Sequence, residues 1–198
     1  AGSPLPLEML FYPDDVIEVA TPAWTRLREI RAGFLGRHLK RTLGGFAQGD
    51  LKRIANGETR KAGAKGKALI ERYGWNVKHG ANAYRLLRMA EILFLTGALV
   101  VRLPEPDRAE ILKIRTGGYE RQEFLDRMQA YDREVFALAD RSPLPATADY
   151  HAAETVVMDL YREHLGLTAS APPWRARSVA RAEQDMIAAG AAGAGGQA

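Results

Sequence analysis

The stretch from Arg72 to Gly97 constrains the fold of this chain more than any other. Asn76 is a good N-cap, and Ala83, Leu86, Leu87, Ala90, Leu93 and Phe94 recur at three- and four-residue steps. The spacing predicts an amphipathic helix with one buried face that ends near Gly97. Beside the apolar face runs a second stripe, Lys78, Asn82, Arg85 and Met89, with Arg88 one turn from Arg85. Lys78 stands in the first turn, where the helix dipole disfavours a cation by roughly 0.3–1 kcal/mol. A bound anion would give that placement a reason. The free N–H groups of a helix start and an adjacent lysine make a phosphate site, which Arg85 reaches from two turns on. The alternative is a solvated basic helix start with Lys78 turned into water and Arg85 in an internal salt bridge with a helix carboxylate.

The chain has 198 residues, 46% hydrophobic and 26% charged, enough for one core of about 150 residues plus tails. It contains no cysteine, which removes disulfide frameworks, thiolate metal sites and cysteine nucleophiles and fits a cytoplasmic location. No apolar run approaches the roughly 20 residues that cross a bilayer, so no membrane partner is expected. Ala1 begins the chain without a basic-then-apolar signal segment, and the expectation is a fragment or a processed chain. Net charge is +4, but from Arg26 to Arg88 there are 16 Lys/Arg against 4 Asp/Glu, a local balance of +12 that leaves −8 elsewhere. A basic half beside an acidic half points to a polyanionic partner, nucleic acid or nucleotide phosphate.

Taken in order, Leu7 to Phe11 reads as a short helix or strand stopped at Tyr12-Pro13-Asp14-Asp15, and Val16 to Val19 as a short strand. Thr21-Pro22 opens a helix through about Leu35. A second basic helix, Arg37 to Asn56, is expected to be interrupted or curved at Gly44-Gly45 and Gly49, and supplies Arg37, Lys40, Arg41, Lys52 and Arg53 as nucleic-acid contacts. Gly57 to Gly66 is a polar, basic loop whose glycine spacing does not fit a Walker-type phosphate site. A short helix over Lys67 to Tyr73 feeds the central one, and Leu99 to Leu103 reads as a brief strand. Further helices are expected from Asp107 to Arg115, Tyr119 to Asp140 and Tyr150 to Leu165. The expected fold class is mainly α, a multi-helix bundle with one or two short β-strands and a disordered tail. Residues 1–166 form the helical body, and 167–198 a linker and low-complexity Ala/Gly tail.

Familiar catalytic patterns are scarce. His38, His79, His151 and His164 lack metal-ligand spacing, and no serine lies in a nucleophile elbow. Asp14-Asp15 sits in a proline-led turn, where aspartate is common for local hydrogen-bonding reasons.

Tyr73-Gly74-Trp75-Asn76-Val77-Lys78-His79-Gly80, followed by Arg85-Leu86-Leu87-Arg88-Met89 and Leu95-Thr96-Gly97, resembles the C-terminal half of the DNA-polymerase-β-type nucleotidyltransferases grouped under an RNA-repair-pathway name. Gly2-Ser3-Pro4 with Leu7 to Leu10 and Pro13-Asp14-Asp15, Thr21-Pro22 through Arg31 with Phe34-Leu35, and Leu51-Lys52-Arg53 look similar to it as well. The resemblance spans roughly Gly2 to Leu144 and is most specific from Lys78 to Met89. It implies an enzyme that transfers a nucleotidyl group from a nucleoside triphosphate to an acceptor such as RNA. Lys78, His79, Asn82, Arg85 and Arg88 would meet the nucleotide phosphates.

Two departures stand out. Where such proteins carry a second histidine, this chain has Asn82, and the family's Gly-Ser turn followed by Asp-x-Asp is not found. The resemblance therefore implies that the catalytic strands, with the carboxylates that hold two Mg²⁺ ions, precede Ala1 and that this chain alone is inactive. The other reading is a non-catalytic helical RNA- or nucleotide-binding module.

Overall fold

The computed structural model describes residues 5–57 and 63–167. Among them are eight α-helices: α1 (Leu5–Leu10), α2 (Pro22–Glu29), α3 (Leu39–Ala55), α4 (Ala64–Tyr73), α5 (Val77–Thr96), α6 (Glu105–Arg115), α7 (Arg121–Ala139) and α8 (Tyr150–His164). The chain divides into two units, Ala1–Val156 and Val157–Ala198. In the second, the described residues are the last turns of α8 and the short stretch from there to Leu167, with Arg162 paired to Asp159 at 2.9 Å. The expected linker and Ala/Gly tail, and the middle of the Gly57 to Gly66 loop, lie outside the described residues.

Helix α5 is the axis of the first unit, packed by α3, α6, α7 and α4. Its ends are set by local chemistry. The Asn76 side chain accepts from the Lys78 N–H at 3.2 Å, and Gly97 closes the helix at φ 76°, a left-handed conformation that costs glycine nothing. All six apolar positions expected inside are buried, and so are Val77, Ala81, Tyr84 and Met89. The helix is surrounded rather than half-buried, and Met89, at 0% exposure, belongs to the core and not to a polar stripe. Trp75 anchors the start of α5: it stacks on Phe124 of α7 at 4.8 Å and donates its indole N–H to the Tyr119 carbonyl at 3.3 Å.

Helix α3 runs unbroken through its three glycines. A Cβ at Gly44 would stand 1.9 Å from the Phe136 ring, so that glycine lets α3 approach α7. Burial of Leu39, Leu43, Ala47, Leu51 and Ile54 outweighs the roughly 1 kcal/mol that each glycine costs a helix.

Both expected strands are corrected, since the described residues contain none. Asp14–Val16 forms a 3-10 turn, and Val19 is 78% exposed. In the stretch from 98 to 104, Leu99 and Leu103 are buried in the core with no strand alongside to take their backbone bonds. The helix opened by Thr21 stops at Glu29 and passes into a 3-10 turn, Arg31–Phe34. No described helix is long and apolar enough to cross a membrane.

Candidate functional site

Helices α3, α5 and α6 together form an open cavity of about 400 Å³ lined by Asp50, Lys78, His79, Asn82, Arg85 and Arg115, with Ala81 and Ile111 as its apolar wall. Four of the five residues expected to meet phosphates are therefore brought together. Helical geometry accounts for their positions, because Lys78, Asn82 and Arg85 share one side of α5. The acidic member, Asp50, is 4% exposed. It occupies the buried side of α3, one turn from Ala47 and Ile54, and a carboxylate at an apolar-face position was the available signal for it. Arg115 comes from the end of α6, and nothing in the local sequence connects it to Lys78.

Asp50 is fully employed. One oxygen meets His79 Nδ1 at 2.7 Å and Arg53 at 2.9 Å, and the other accepts from Asn82 Nδ2 at 2.7 Å. A carboxylate only accepts, so Nδ1 bears a hydrogen, and in the neutral form of the ring Nε2 is the acceptor. Asn82 in turn accepts from Arg85 at 3.3 Å, and Arg85 pairs with Glu8 of α1 at 2.8 Å. Glu8 is 3% exposed. The network thus runs from α3 across α5 to α1, and Arg85 lines the cavity with its charge already countered. Lys78 and Arg115 differ: both are exposed, and neither has an ion-pair partner among the described residues.

Arg88 is elsewhere. It lines a separate cavity of about 480 Å³ with Tyr84, Glu91, Asp107, Arg127 and Tyr131, donating to Asp107 at 2.7 Å and pairing with Glu91. Asp107, expected to cap or open α6, lies in its first turn, 4% exposed, where it also accepts from Tyr84 at 2.9 Å. Burial pushes the Tyr84 and Tyr131 phenols well above their usual range, helped by their bonds to Asp107 and Glu91 respectively.

Of the five cations expected to meet nucleic acid, Arg37, Arg41 and Lys52 are exposed with no ion-pair partner among the described residues. Lys40 sits 3.5 Å from Asp140, and Arg53 belongs to the Asp50 cluster. The charge asymmetry is accordingly smaller in space than along the chain. Asp14, Glu8, Asp107 and Glu91 come from outside the basic span to pair with Arg28, Arg85 and Arg88.

Among the described residues, no three His, Asp or Glu side chains are grouped to hold a metal ion. Asp14 and Asp15 are each taken by an arginine, Arg28 and Arg102. No family model matches this chain, and no curated protein and no solved structure is significantly similar to it.

Proposed function

We propose that this chain is the helical, nucleotide-handling part of a nucleotidyltransferase of the DNA-polymerase-β type, acting in the cytoplasm on an acceptor such as RNA. One observation carries the reading: Lys78 and Arg115, from two different helices, line one cavity, and no carboxylate pairs with either among the described residues. An ammonium and a planar guanidinium suit the oxygens of a di- or triphosphate. The resemblance from Lys78 to Met89 supplies the enzyme class, and any magnesium the parent uses would be held by carboxylates outside the described residues. A second reading, a non-catalytic RNA-binding module, is favoured by the exposed Arg37, Arg41 and Lys52.

Titration with a nucleoside triphosphate, read by calorimetry, tests the site. Binding should weaken by roughly 1.5–3 kcal/mol for each of Lys78→Ala and Arg115→Ala. Wild-type affinity in the folded double variant would remove the phosphate site. The chain alone should transfer no label from a triphosphate to RNA, and magnesium-dependent transfer by it would overturn this division of labour.

A further inference from the structure

The His79–Asp50 pair has more order than phosphate binding requires. Asp50 is buried, accepts from His79 Nδ1 and Asn82 Nδ2 at 2.7 Å each, and is held from behind by Arg53 at 2.9 Å. Its carboxylate therefore fixes both the tautomer and the tilt of the imidazole. The ring is 32% exposed and lines the cavity, and its Nε2 makes no hydrogen bond among the described residues. In the neutral form of the oriented ring Nε2 is a proton acceptor, and the cations Lys78 and Arg115 line the same cavity. A proton acceptor next to a phosphate site needs a hydroxyl adjacent to a phosphodiester, and the ribose 2′-hydroxyl of RNA is that group.

We propose that His79, positioned by Asp50, is the general base of an RNA-cleaving activity resident in this cavity. The 2′-hydroxyl gives its proton to Nε2, and the 2′-oxygen forms a bond to the neighbouring phosphorus. Lys78 and Arg115 hold the negative charge of the five-coordinate phosphorus. The bond from phosphorus to the 5′-oxygen breaks, and that oxygen takes a proton from the Lys78 ammonium. The products are a 2′,3′-cyclic phosphate and a 5′-hydroxyl. His79 then releases one proton to water and Lys78 recovers one, so the transesterification consumes no co-reactant. Exposed Arg37, Arg41 and Lys52 on and before α3 supply cations for the rest of the strand. The proposal rests on the phosphate-binding reading of the cavity but not on nucleotidyl transfer.

The test uses the whole chain with a 5′-labelled oligoribonucleotide in chelator, alongside its 2′-O-methyl and DNA counterparts. RNA alone should be cut, to fragments ending in cyclic phosphate. His79→Ala should be slower by about 10²–10⁴-fold, with activity partly restored by added imidazole, a rescue that a structural role for the ring would not show. Asp50→Asn should lower kcat with little change in KM. Lys78→Ala, at an exposed position that leaves the fold intact, should lose most of the rate. Intact RNA with wild-type protein, or cutting that persists in His79→Ala without imidazole, overturns the proposal. Uncut RNA with triphosphate still bound overturns this activity and leaves the phosphate site standing, whereas uncut RNA with no triphosphate binding removes both.

Discussion

At Glu8, a carboxylate 3% exposed faces the guanidinium of Arg85 across 2.8 Å. Removing one member of such a pair strands the other in a poorly solvated place, which costs about 3–5 kcal/mol when both are buried. Arg85 is 31% exposed, so water screens the pair and Arg85→Ala should destabilise the fold by roughly 2–3 kcal/mol, below the fully buried range. Lys78 makes no such pair, and Lys78→Ala should leave the denaturant midpoint where it was. Glu8→Gln should release Arg85 into the cavity and tighten phosphate binding while lowering stability. Chemical denaturation of the three variants checks this. An Arg85→Ala chain as stable as wild type would show that Glu8 does not depend on it. The sequence left open that Arg85 is held in an internal salt bridge with a helix carboxylate while Lys78, on the same face of α5, stays in water. Their difference depends on a residue 77 positions away.

On helices α3 and α5, glycines of identical appearance in sequence have opposite meanings. A Cβ at Gly45 or Gly49 would meet nothing within 4 Å, whereas one at Gly80 would stand 2.5 Å from the Trp75 ring and 3.1 Å from Phe124. Gly45→Ala and Gly49→Ala should each raise stability by about 0.5–1 kcal/mol, the helix propensity difference. Gly80→Ala should lower it by about 1–3 kcal/mol, because the stacked Trp75 and Phe124 leave no room for a methyl group. Urea unfolding of the three single variants measures this, and equal effects at all three positions would contradict it. Helix α5 itself was legible because its cap, its period and its terminal glycine are local features. The continuity of α3 was not, since it rests on Gly44 fitting Phe136 of α7.

Across the first unit, two segments far apart in sequence are stitched by backbone bonds: Arg37 and His38 donate to the carbonyls of Pro145 and Ala146 at 2.8 and 3.1 Å, and Asp149 donates to Gly33 at 2.7 Å. Burial at this junction pushes the His38 imidazole below its ordinary value of 6.5. The folded state thus favours neutral His38, and its contribution is complete above pH 6.5 and drains away as the pH falls through the lower folded value. Between about pH 7 and pH 5 the melting temperature of wild type should therefore drop further than that of His38→Asn; parallel curves would show that His38 is not coupled to folding. Binding of RNA by the exposed Arg37, Arg41 and Lys52 should weaken steeply with salt. The slope of log affinity against log salt should lose about 0.7 in magnitude with Lys52→Ala, the share of one phosphate on a single strand. A slope unchanged by that substitution would place the RNA elsewhere.

What the sequence by itself determined is the helical class, the limits of α5 and the apolar residues that α5 buries. Capping side chains, glycine stops and a 3.6-residue period act within one or two turns. The tertiary structure alone decided that Val16 to Val19 and Leu99 to Leu103 form no strands, because a strand exists only where a second segment pairs with it. It also decided which cations are spent. Glu8 takes Arg85, Asp107 and Glu91 take Arg88, and Asp50 takes Arg53 and orders His79, while Lys78 and Arg115 are left to a cavity that packing of α3, α5 and α6 creates. Charge pairing is a matter of distance in space, and these partners are brought together by the burial of apolar faces elsewhere on the same helices.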